Sequence, residues 1–181
     1  MAPPDESDPH LKPTLPTNLD PQALGLFEDI LDSGSSLRVR VTGRSMTPFL
    51  RAGDVVVIRK VPVSSLRIGD LIFFKNRQGF PMLHRVVRRR RGPDGKVVLQ
   101  TKGDSLTAFD RPIEGDRVLG KVCQIERADS AAGSKRSINL ESPLWDTINS
   151  LIAVITALRS KAHHGVLRLA PLLPFCKSDD D

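Results

Sequence analysis

In "VTGRSMTPFL", Val41 to Leu50, a serine stands between a glycine turn and a proline at the end of a strand-like run. A serine hydroxyl is a weak nucleophile, so acyl transfer at Ser45 requires a base to take its proton and donors to hold the oxyanion. The chain holds only four histidines. His10 falls in a polar lead-in and His163 and His164 lie beyond a helical stretch, which leaves His84, inside β-patterned sequence, as the base for Ser45. Alternation puts His84 on the face of Met82 and Val86, an apolar setting that favours the uncharged form of an imidazole, with Leu83, Arg85 and Val87 opposite. An ordinary hydrogen-bonded core histidine is the plainer account unless a third group orients the ring. Asp104 and Asp110 are the candidates: Asp104 ends the strand expected to pair with the His84 strand, and Asp110 follows a short loop, "SLTAF", able to fold back. Read blandly, the first is a turn aspartate and the second half of an Asp-Arg surface pair.

These groups meet only if the intervening elements form a sheet. Asp20 and Pro21 make a good helix start, with Leu24, Phe27, Ile30 and Leu31 at helical spacing until Gly34. From Leu37 the period becomes two, through Val39 and Val41. Further strands are expected at "VVVIRK", "DLIFFKN", "LHRVVRRR", "KVVLQTK" and "RVLGKVCQIER", with a hairpin turn at "RGPDGK", residues 91–96. "LRAGDVVVI" and "LRIGDLIFF" form a small repeat in which Gly-Asp leads into an apolar strand. "EGDRVLG" follows that use, whereas in "QTKGDS" the pair follows a strand, so Asp104 is the odd member. After about Asp129 the pattern weakens, and Leu144, Ile148, Leu151, Ile155 and Leu158 mark an amphipathic helix starting near Ser142 and Pro143. Its expected role is packing on the β domain, with interfacial membrane contact, supported by Arg159, Lys161 and Arg168, as the lesser option.

A chain of 181 residues with 39% apolar content suits one core with tails. The expected organisation is a disordered lead-in over 1–19, a β domain with its leading helix over 20–128, a linker over 129–142, a helical extension over 143–175 and a polar tail over 176–181. Cys123 and Cys176 lack the spacing of a zinc knuckle or redox pair, and no metal or cofactor is expected. No apolar stretch approaches a membrane span, so a cytoplasmic or peripherally membrane-associated protein is expected. The net charge of +6 makes an anionic partner conceivable. Arg85 and the run Arg88 to Arg91 would supply phosphate contacts, but aromatics are 4% with no tyrosine, which disfavours nucleic acid.

"VTGRSMTPFLRAGDVVVIRK", "GDLIFFK", "LHRVV", "QTKGDSLTAFD" and "VLGKV", in this order over residues 37–125, resemble the type I signal peptidase family, particularly its endoplasmic-reticulum and archaeal branch. The resemblance implies a mainly β fold of the signal-peptidase and LexA-like kind, framed by a short N-terminal helix and a C-terminal amphipathic helix. It also implies a serine endopeptidase acting on an extended precursor segment after small residues. Ser45 falls on the nucleophile position, His84 on the base, Asp110 on an aspartate six residues past the "TKGD" aspartate, and Asp104 on that aspartate itself. The family commonly shows Ser-Gly-Ser-Met where this chain has Gly43-Arg44-Ser45-Met46, so a hydroxyl that assists the oxyanion is missing. The serine box also resembles LexA-like self-cleaving peptidases. Those use a lysine base, at a position where this chain has His84, and an upstream Ala-Gly or Cys-Gly bond that does not occur ahead of Ser45, so a repressor is disfavoured. A peptidase that has kept its fold and peptide binding but lost its chemistry is the remaining alternative.

Overall fold

The computed structural model describes residues 21–92, 94–129 and 134–169. Helix α1 spans Pro21–Asp32 and buries Phe27 and Leu31, the residues its spacing selects. Its proposed cap, Asp20, and the lead-in over 1–19 lie outside the described residues. Strands follow as β1 (Leu37–Arg40), β2 (Val55–Arg59), β3 (Leu71–Lys75), β4 (Pro81–Arg91), β5 (Val97–Lys102), β6 (Ile113–Glu114), β7 (Val118–Asp129) and β8 (Ser134–Asn139). Helix α2 closes the fold over Pro143–Leu169. The protein is mainly β, with all eight strands in one sheet of order β1-β2-β7-β3-β4-β5-β6 and β8 also paired to β7.

Every pairing is antiparallel, so the sheet grows by hairpins and returns. Strand β7 is the spine. Its length lets β2 pair along one edge while β3 and then β8 share the other, as the joint pairing of Glu126 with Val55 and Ser137 requires. The sheet packs two apolar clusters. One joins Phe27 and Leu31 of α1 to Val39, Ile58, Phe73 and Ile125, and the other joins Ile72, Phe74, Val86 and Leu99. Successive residues Ile72, Phe73 and Phe74 alternate between the two, which is why "LIFF" reads as a continuous apolar run.

The repeated Gly-Asp turns are built alike. In each, the aspartate carboxylate accepts the backbone N–H three residues earlier, Arg51 to Asp54 at 2.9 Å and Arg67 to Asp70 at 2.8 Å. Gly53 and Gly69 take φ of 95° and 102°, where a side chain would be strained. The carboxylates are then neutralised from β7, Asp54 by Arg127 and Asp70 by Lys121, each at 2.7 Å.

Two expectations change. Residues 134–139, expected within a linker, form β8, because the long β7 offers an open edge on which even the polar "SKRSIN" can pair its backbone. Helix α2 exists where expected, but the buried face is Asn149, Ala153, Thr156 and Ser160, while Leu144, Leu151, Ile155 and Leu158 are exposed. Small and polar residues are needed inside because the Gly69 turn comes so close that a Cβ there would sit 2.7 Å from the Asn149 carbonyl carbon. Among the described residues no helix is long and apolar enough to cross a membrane.

Candidate active site

Ser45 sits on the bend that leaves β1. Backbone bonds from Val41 N to Asp54 O and from Gly53 N to Val41 O, both 2.8 Å, tie the bend to the first Gly-Asp turn. Buried Met46 and Leu50 anchor its far side. The loop after β5 clamps it from the other direction: Ser105 N donates to Ser45 O at 2.9 Å, and Ser105 Oγ donates to Arg44 O at 2.9 Å and to Ser45 O at 3.0 Å. Gly103 makes this approach feasible, since a Cβ there would lie 2.7 Å from Ser45 O.

His84 reaches Ser45 from β4. Its Nε2 lies 3.1 Å from Ser45 Oγ, and its Nδ1 lies 2.7 Å from Asp110 Oδ2. A carboxylate can only accept, so Nδ1 carries the ring hydrogen and Nε2 is left as an acceptor for the Ser45 hydroxyl. The ring is buried and leans at 58° on Phe74, with centroids 6.4 Å apart. Asp110 is brought back by its own N–H, which donates to Thr101 O at 3.0 Å. Thr101 Oγ1 gives the same carboxylate oxygen a second hydrogen bond at 2.7 Å. Burial pushes the Asp110 carboxyl upward, but hydrogen bonds from His84 and Thr101, with the charges of His84 and Lys102, outweigh it and hold it below the ordinary value.

Asp104 goes elsewhere. Its two oxygens accept from Arg85 Nε at 2.8 Å and Arg85 Nη2 at 2.7 Å, a bidentate pair closed to solvent. Arg85 Nη1 donates to Gly69 O at 3.0 Å and to Asn149 Oδ1 of α2 at 2.8 Å, and the guanidinium stacks 4.6 Å from the Phe49 ring centroid. Ser45, His84 and Asp110 are thus brought together, whereas Asp104, also expected there, has no hydrogen bond to His84 among the described residues. The reason is alternation: Arg85 points through the sheet face opposite to His84, and Asp104 follows it. The same burial removes Arg85 from the basic surface expected around Arg88 to Arg91. His10 lies outside the described residues.

Thr101 and Ser105 were not anticipated. Thr101 pairs with Val86, on the His84 face, so the alternation of "VVLQTK" contained that signal, whereas nothing local marks Ser105 as a clamp. Lys102 is buried with its Nζ donating to Gly103 O at 3.0 Å. Burial lowers its pKa, partly opposed by the attraction of Asp104.

A cleft of about 300 Å³ opens beside Ser45, between Val41–Gly43 of the bend and Pro81–Leu83 of β4. Strand β5 pairs with β4 only from Arg85 onward, so among the described residues the stretch Pro81–His84 has one edge without a strand partner. Strand β1 likewise pairs only with β2. A nucleophile with its base beside an apolar cleft flanked by extended backbone can carry out acyl transfer on an extended chain.

No family model matches the chain. It is similar to the signal peptidase complex catalytic subunit SEC11C of Homo sapiens and of Mus musculus, each 29% identical over 102 residues, which covers 55% of this chain and 53% of the relative. The SEC11 subunit of Eremothecium gossypii is 32% identical over 87 residues, covering 48% of this chain and 51% of the relative. The chain spans about half the length of these curated relatives.

Proposed function

We propose that this protein is a serine endopeptidase of the signal-peptidase type that removes a leader or signal segment from a protein or peptide precursor. The observation that carries the reading is the continuous line Ser45 Oγ, His84 and Asp110, at 3.1 Å and 2.7 Å. Similarity to proteins named as signal peptidase catalytic subunits supports the same class. An extended substrate lies in the cleft between the β1 bend and the free edge of Pro81–His84, adding main-chain hydrogen bonds to the sheet. Ser45 Oγ attacks the scissile carbonyl carbon while its proton passes to His84 Nε2. Asp110 stays ionised and stabilises the imidazolium that forms. The backbone N–H of Ser45 serves the oxyanion. Collapse of the intermediate breaks the C–N bond, His84 hands the proton to the leaving amine, and water then releases the acyl group by the same two steps in reverse.

The test is digestion of a peptide library by wild-type and Ser45→Ala proteins, with products identified by mass spectrometry. Cleavage at defined bonds by the wild type alone is expected; equal cleavage by both proteins sinks the mechanism. Labelling of Ser45 by an electrophilic serine probe, lost in His84→Ala, separates an active enzyme from one that only holds peptides. Loss of the hydroxyl that Gly43 replaces is what gives that second reading its weight.

A further inference from the structure

Helix α2 is packed with its polar side inward. Asn149, Ala153, Thr156 and Ser160 are buried, whereas Leu144, Leu151, Ile155 and Leu158 are 67%, 59%, 47% and 58% exposed. The spacing keeps each set on one side: Leu151 stands two positions from Asn149, ~200° around the axis. Val154, 51% exposed, widens the outer stripe. A helix of a water-facing domain ordinarily turns its apolar stripe to the core, so a contiguous leucine-rich outer face implies a further apolar phase.

The charges on α2 say which phase. Its one acidic residue, Asp146 in the first turn, is met by Arg67 Nη1 at 3.4 Å. Beyond it the helix sequence contains Arg159, Lys161 and Arg168 and no aspartate or glutamate. Arg159 is exposed and borders a groove of about 420 Å³ walled by Phe49, Ile138, Trp145, Ile152 and Ile155. Ile155 belongs to both stripe and groove, so the apolar surface is continuous around this flank. These charges leave the helix net basic, with three cations to one anion. An anionic surface meets the same charges favourably.

We infer that the outer face of α2 docks this protein on an anionic lipid bilayer. The helix lies in the plane of the interface, with Leu144, Leu151, Ile155 and Leu158 entering the acyl boundary and Arg159 at headgroup depth. Spanning is not required: the 27-residue helix holds its polar side against the sheet throughout the described side chains. The consequence is that the β domain sits against the membrane surface, near any precursor segment that emerges from it.

The test uses the full chain and vesicles of phosphatidylcholine alone or mixed with phosphatidylglycerol. Trp145 is the only tryptophan and lines the groove, so its emission reports docking directly. Expected are co-sedimentation and a blue shift of Trp145 emission with the anionic vesicles, both reduced about tenfold or more by Leu151→Glu/Ile155→Glu/Leu158→Glu. Ser45→Ala protein is expected to bind as the wild type does, which separates this result from the fate of the peptidase reading. Circular dichroism checks that the triple variant folds; Arg159→Glu, a single exposed change, is expected to weaken anionic-vesicle binding on its own. Wild type that sediments with neither vesicle overturns the inference. So does a concentration-dependent dimer that the triple variant abolishes while vesicles have no effect, which would assign the stripe to a second copy.

Discussion

His84 and Arg85 are neighbours on β4, and each takes an aspartate from the same loop, yet the two pairs are built for opposite purposes. The Arg85–Asp104 pair is sealed, its side chains 0% and 2% exposed, and bidentate, with further acceptors from Gly69 and Asn149. A guanidinium does not give up its proton, so this pair can only hold: it ties β4, the second Gly-Asp turn, α2 and the loop after β5 at one point. The His84–Asp110 pair is joined by one short bond, Asp110 is 19% exposed, and the far ring nitrogen faces a hydroxyl at a cleft. Of the two pairs, only this one has the geometry to pass a proton, as the proposed reaction requires. One pair fixes the frame to which the other owes its alignment.

The largest effect should come from breaking the proton path. Ser45→Ala and His84→Ala are each expected to lower kcat by roughly 10⁶-fold, and the double variant by no more than either alone, because the two groups act as one unit. Additive losses in single-turnover cleavage assays would count against a shared path. Asp110→Asn is expected to cost less, roughly 10⁴-fold, since the attacking group and base remain while the ring orientation and charge compensation are lost. The melting temperature of Ser45→Ala should stay near wild type and that of Asp110→Asn fall only slightly below it, which is where the comparison with the sealed pair sharpens.

Arg85→Met should act on stability first. Removing one partner strands a buried charge and costs about 3–5 kcal/mol, read as a shift of the urea midpoint at unchanged m-value. Arg85→Met/Asp104→Leu is expected to recover a large part of that loss, because replacing both partners by apolar groups leaves no orphaned charge. If Asp104→Leu instead removed cleavage without moving the urea midpoint, Asp104 would belong with the proton-moving pair after all.

Much of this division was legible beforehand. Short β-rich runs between turn residues located five strands within a residue or two, and alternation placed His84 and Arg85 on opposite faces and made Thr101 findable. It did not tell which aspartate follows which neighbour, because both lie in a loop whose return is set by tertiary bonds such as Asp110 N to Thr101 O. Strand β8 escaped because "SKRSIN" has a single large apolar residue, Ile138, and pairs only because β7 offers an edge. The periodicity of α2 is plain in the sequence, but which face is buried depends on the partner. That partner is the Arg85 guanidinium and the Gly69 turn, for which Asn149 is the fitting contact.

The smallest expected effect is on the acid side of the stability curve, and it tests the electrostatics of the His84–Asp110 pair. The Asp110 carboxyl is held below its ordinary value of 3.8 in the folded protein, so the unfolded chain takes up its proton first as the pH falls. The resulting contribution to stability is therefore complete above the ordinary carboxylate range and is lost as the pH drops toward the lower folded value. Asp110→Asn removes that contribution. Urea titrations at a series of pH values should show wild type ahead of Asp110→Asn by a constant margin near neutrality and a shrinking one below about pH 4. A margin unchanged through the acid range would mean that His84 and Thr101 do not favour the ionised carboxylate. Asp110 would then orient His84 by shape alone, and the contrast between a holding pair and a proton-moving pair would lose its electrostatic half.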